Sequence, residues 1–78
     1  MLLSEAIFNR IKFFIKERRL TPHSLATASG IPYSTIHSYL KNPTSIPKQT
    51  TILHICDGLG ITLKEFYDDE MFEHPEQD

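Results

Sequence analysis

Four histidines, one cysteine and a scatter of serines are the residues of this chain that could ligate a metal or act as nucleophiles. Their spacing assembles neither chemistry. His54 and Cys56 stand two apart, which puts them on different faces of a helix, and His23, His37 and His74 fall in separate segments, so no two have a chelating spacing. Ser24, Ser34 and His37 are not accompanied by a Gly-rich phosphate loop, and so short a chain has no core large enough to surround a cleft for a substrate. No metal, no cofactor and no enzyme activity is expected, and Cys56 reads as a small core residue. What remains is a hydrogen-bonding set. Tyr33, Ser34, His37 and Ser38 are left facing outward where Ile36, Tyr39 and Leu40 form the apolar side of a short helix. Such a face suits recognition of a polar surface rather than catalysis.

Composition and charge narrow the partner. The chain has 78 residues, 40% of them hydrophobic and 23% charged, as in an ordinary soluble globular domain with room for one small core. It contains no run of ~20 apolar residues that would span a bilayer and no secretory-signal order at its N-terminus. The lone Cys56 fits a reducing compartment, so a cytoplasmic location is expected. The formal net charge is −2, but it is unevenly spread. Residues 1–67 hold all eight Lys and Arg against four acids, a surplus of +4, whereas residues 68–78 hold six acids and no Lys or Arg, −6. A mildly basic domain (1–67) carrying an acidic C-terminal tail (68–78) is expected, and the surplus permits nucleic-acid binding without requiring it.

The elements that must position the outward set are helices. Ile7, Phe8, Ile11, Phe14 and Ile15 share one face of a helix from about Ser4, as N-cap, to Arg18, with Phe13 off the stripe. Thr21 as N-cap and Pro22 as first helical residue start a second helix that stops near Gly30. A third spans residues 33–40, and a loop over residues 42–47 holds two prolines. A fourth runs from about Lys48 to Leu59, burying Ile52, Ile55, Cys56 and Leu59. Thr62 with Glu65 forms a capping box that opens a short fifth helix reaching Tyr67. Residues 68–78 are expected to fray, with Met71 and Phe72 the residues able to fold back.

Two helices joined by a short Gly-containing turn are a helix-turn-helix, whose second helix can enter the major groove. Leu20-Thr21-x-x-x-Leu25-Ala26-x-x-x-Gly30-Ile31-x-x-Ser34-Thr35-Ile36 resembles the lambda repressor/Cro-like helix-turn-helix of the XRE family. Ile52-x-x-Ile55-Cys56-Asp57-Gly58-Leu59-Gly60-Ile61-Thr62-Leu63-x-Glu65-Phe66 is similar to that family's closing segment. The resemblance covers about residues 10–67. It implies an all-α, compact five-helix domain that binds double-stranded DNA as a transcriptional regulator, a repressor, with the recognition helix 33–40 in the major groove.

Carried over position by position, the resemblance puts base contacts on Tyr33, Ser34, His37 and Ser38, and phosphate contacts on Thr21, Lys41, Asn42, Thr44 and Ser45. Lys48 adds charge at the start of the fourth helix. Because one recognition helix discriminates only a few base pairs, a homodimer is expected. Its contact surface is placed near the fourth and fifth helices with Met71 and Phe72, or at Phe13. The chain departs from its relatives at Pro22, where many have a phosphate-clamping Gln. It departs again at Ile15 and Leu40, where many have a buried Arg–Glu pair. Ile15 and Leu40 are expected to pack together, each worth ~2–5 kcal/mol on truncation. No Arg, Asn or Gln occupies a base-reading position, so the bidentate readouts are missing. The competing function is a protein-interaction module, antitoxin-like, that engages a partner through the acidic tail.

Overall fold

The computed structural model describes all 78 residues. It contains five α-helices, α1 (Leu3–Glu17), α2 (Pro22–Ser29), α3 (Tyr33–Lys41), α4 (Gln49–Leu59) and α5 (Leu63–Phe66), followed by a single 3-10 turn at Glu70–Phe72. The fold is all-α, as expected, and most helix ends fall within a residue of their expected positions. No helix is long and apolar enough to cross a membrane.

Local chemistry explains the boundaries. Thr21 and Thr62 cap α2 and α5, their hydroxyl oxygens accepting from Ser24 N–H at 3.1 Å and Glu65 N–H at 3.0 Å. α1, α2 and α4 end alike, with a six-residue backbone bond closing the last turn: Leu20 N–H to Ile15 O, Ile31 N–H to Ala26 O and Ile61 N–H to Cys56 O, 2.9–3.1 Å. The left-handed position in each motif falls to Gly30 (φ 68°), to Gly60 (φ 71°) and, after α1, to Arg19 (φ 54°). A side chain is disfavoured there, so the end of α1 is the one built against local preference. Each motif then delivers an apolar residue inward, with Ile31 and Ile61 buried and Leu20 half-buried.

The core gathers Ile7, Ile11 and Phe14 of α1, Leu25 and Ala26 of α2, Ile36 of α3, and Ile52, Ile55, Cys56 and Leu59 of α4, closed by Phe66. Burial pushes the Cys56 thiol pKa up, and nearby Asp57 and Glu65 add to the effect. α4 meets α2 in a tight contact at Gly58. A Cβ there would lie 2.6 Å from Ser29 Oγ and 2.8 Å from backbone atoms of Ala28 and Ser29.

Three expectations are corrected. Residues 68–78 do not fray. The Asp69 carboxylate accepts from Met71 N–H and starts the 3-10 turn, and Phe72 packs on Phe66 and Tyr67 with ring centroids 6.2 and 4.9 Å away. Glu76 then pairs in parallel beside Leu2, donating its N–H to Met1 O and accepting from Leu3 N–H, both at 2.9 Å. Met71 and Phe72 are thus half-buried on their own domain rather than displayed to a partner. Second, Ser4 is not the cap of α1. That position is Leu2, whose N–H donates to Glu5 Oε1 at 3.1 Å. Ser4 sits inside the first turn, buried, and donates both its N–H (3.0 Å) and its hydroxyl to the Asp78 carboxylate. A residue from the far end of the chain therefore caps α1, its charge favoured by the positive end of the helix. Third, Ile15 and Leu40 are half-buried. They line one open depression of about 510 Å³ with Phe8, Phe13, Lys12 and Lys16, so their truncation belongs at or below the low end of the range for buried residues.

The Asp78 cap has a pH signature. Hydrogen bonds from the Ser4 hydroxyl, then from the Ser4 amide, hold the Asp78 carboxyl below its ordinary value of 3.8. Above the unfolded value both states are ionised and the full contribution is present; it is lost as pH falls through the depressed folded value. Asp78→Asn should therefore lower the melting temperature at neutral pH, and its difference from wild type should close below pH ~4. Thermal melts of both chains across that range check this.

Candidate nucleic-acid interface

α2 and α3 are joined by the Gly30–Pro32 turn, and Ile31 and Ile36 fix α3 from behind. All ten residues singled out from the sequence (Tyr33, Ser34, His37, Ser38, Thr21, Lys41, Asn42, Thr44, Ser45 and Lys48) are solvent-exposed. The fold gathers seven of them into two neighbouring groups with different chemistry.

One group lines a groove of about 680 Å³ between α3, the following loop and α4. Ser34, Ser38, Asn42, Thr44 and Ser45 supply hydroxyl and amide groups along it. Thr35 and Thr51, which the sequence reading did not single out, add two more hydroxyls. Its apolar lining is Ile36, Tyr39, Pro47 and Ile55. No charged side chain lines it, so it offers neutral donors and acceptors, with Lys41 and Lys48 outside that lining. Tyr39 packs edge-on against Phe8 at 5.9 Å, and its buried hydroxyl finds no partner. Burial raises its pKa to about 12, so it stays a neutral phenol.

The other group is aromatic. His23, at the start of α2, stacks on Tyr33, at the start of α3, with ring centroids 3.7 Å apart and planes within 4°. One helical turn on, the Tyr33 hydroxyl meets His37 Nδ1 at 3.2 Å. His23 was not predicted as part of the site, because it lies ten residues away and on another helix; only the tertiary turn brings the rings together.

The remaining residues are placed differently. Thr21 Oγ1 is occupied by the α2 cap, accepting from Ser24 N–H and contacting Ser24 Oγ at 3.2 Å. Lys48 is the N-cap of α4 and makes no side-chain capping bond. Two other cations serve the fold. Arg18 donates to Leu59 O at the end of α4, and Arg10 is buried beneath α5. His54 is exposed whereas Cys56, two residues on, is buried.

Comparison with curated proteins and with solved structures returns no match. The family comparison does return one, over residues 10–71, and it spans α2, the turn, α3 and both groups of exposed polar residues. The chain belongs to the Cro/C1-type helix-turn-helix DNA-binding domain family.

Proposed function

We propose that this protein is a sequence-specific transcriptional repressor that sets α3 into the major groove of duplex DNA. The observation carrying this reading is the exposed polar face of α3 running into the hydroxyl-lined groove beside the 42–47 loop, within a helix-turn-helix. In this reading Tyr33, Ser34, His37 and Ser38 lie along base edges. Lys41, Asn42, Thr44, Ser45 and Lys48 follow the phosphates, and Thr21 joins them by exchanging its bond to Ser24 for one to a phosphate. Residues 1–67 form the DNA-binding unit and the acidic segment 68–78 clasps it. Occupying a site that overlaps a promoter is sufficient for repression, and a cytoplasmic setting keeps Cys56 reduced. Two copies on a two-fold site supply the discrimination that one helix lacks. Phe72 is occupied within its own chain, so exposed Leu53 of α4, 42% accessible, is the better apolar anchor for a second copy.

Two variants separate base reading from phosphate contact. Ser34→Ala with Ser38→Ala should relax base preference while leaving the salt dependence unchanged. Lys41→Ala or Lys48→Ala should weaken binding to all sequences alike and flatten the salt slope by about 0.9 each. Binding isotherms at several salt concentrations, on selected and scrambled duplexes, measure both. Variants that all leave base preference and salt slope at wild-type values would overturn this placement.

A further inference from the structure

Tyr33 has a second role, one that rests on the DNA-binding reading above. We propose that Tyr33 is a positioning residue that locks His37 into a single tautomer and so makes His37 the specificity-determining reader of an acceptor edge in the major groove. Three observations converge on this. The Tyr33 ring lies flat on His23 at 3.7 Å, which fixes its plane from the neighbouring helix. Its hydroxyl reaches His37 Nδ1 at 3.2 Å. The His37 ring stacks loosely on the same tyrosine, centroids 5.4 Å apart, so ring and hydroxyl restrain it together.

The donor direction follows from the groups themselves. A phenol O–H is the better donor and a neutral imidazole nitrogen the better acceptor, so Tyr33 donates and Nδ1 accepts. The proton on neutral His37 then resides on Nε2, which is left as one N–H donor on an exposed face of α3. Such a donor matches an acceptor on the base edge. Guanine presents two there, N7 and O6, adenine (N7) and thymine (O4) one each, and cytosine a donor only, so a fixed donor disfavours cytosine above all. An unrestrained histidine presents either a donor or an acceptor and discriminates less. Ser34 and Ser38 hydroxyls can each donate or accept. The locked His37 therefore supplies polarity that this helix, without Arg, Asn or Gln at those positions, otherwise lacks.

Two measurements test the proposal independently. Imidazole 15N shifts of neutral His37 without DNA should show Nε2–H as the dominant form. Tyr33→Phe, which keeps the stack and removes the hydroxyl, should move the tautomer ratio toward that of a free histidine. Selection from a random duplex pool should then give a wild-type motif with one position from which cytosine is excluded. In Tyr33→Phe that position should lose roughly 3- to 10-fold of its preference, the worth of one hydrogen bond, beside any loss at the base that Tyr33 itself meets. His23→Ala should flatten the same position and His23→Phe should keep it, with melting temperatures confirming that each variant folds. An Nδ1–H form in wild type, or a ratio unchanged in Tyr33→Phe, overturns the lock. A motif unaltered by Tyr33→Phe overturns its link to reading. A wild-type pool with no motif removes the DNA reading itself and, with it, the role of His37, whatever the tautomer.

Discussion

Arg10→Ala should cost about 2–4 kcal/mol, most of the ~3–5 kcal/mol that a domain of this size possesses. Arg10 is 8% exposed, and its guanidinium works at the end of α5. Nε donates to Phe66 O at 2.7 Å and Nη2 to Glu65 O at 2.9 Å and Asp68 O at 3.3 Å, while Nη1 faces Asp69 Oδ2 at 3.5 Å. A four-residue helix cannot satisfy all its final carbonyls; Glu65 O also accepts from Asp68 N–H, whereas Phe66 O and Asp68 O depend on this fork. The cation also lies over the Phe14 ring, 4.6 Å from its centroid. Removing it leaves carbonyls without donors and unties α5, the 3-10 turn and the clasp on α1 together. Arg10→Lys keeps the charge but not the planar fork, so it should recover only part of the loss. Urea melts of the three chains measure this, and a wild-type midpoint for Arg10→Ala would show that the carbonyls find water at no cost.

Gly58→Ala should destabilise by about 1–3 kcal/mol, although alanine in a helix interior ordinarily gains about 1 kcal/mol over glycine. The reversed sign is the diagnostic. The atoms that a methyl would meet include the backbone of Ala28 and Ser29 at 2.8 Å, which yields only if α2 moves away from α4. Since α2 carries the Thr21 cap and the His23 ring, that movement also disturbs the face next to α3. Gly58→Ala should therefore weaken DNA binding beyond its effect on folding, read as affinity measured well below the melting temperature.

α2, α4 and α5 were legible in the sequence because they carried start or stop signals of their own: Thr21-Pro22 and Gly30, Gly60, and the Thr62–Glu65 box. The core was legible because Ile7, Ile11, Phe14, Ile52, Ile55 and Leu59 recur at helical spacing, and all of them are buried. The polar face of α3 followed by subtraction. What could not be read is what long-range contacts decide. Arg10 enters the sequence reading only as one of eight Lys and Arg, since no local pattern shows a buried cation serving carbonyls more than fifty residues away. The acidic tail looked solvated because its composition is that of a disordered segment; it orders because Phe72 finds Phe66 and Asp78 finds the first turn of α1. Much of that clasp, Met1–Ser4 with residues 74–78, lies outside the residues 10–71 that match the family, so no family pattern pointed to it. His23 is a similar case, since its partner is on the next helix.

Sequence-specific recognition of duplex DNA through α3 is measured by selecting bound sequences from a random duplex pool with the wild-type chain at two salt concentrations. The predicted result is one enriched motif with two-fold symmetry and half-sites about 10 base pairs apart, unchanged between the two salts while overall affinity falls at the higher one. A pool that binds at low salt with no enriched motif, or that is not retained at all, would rule out such recognition.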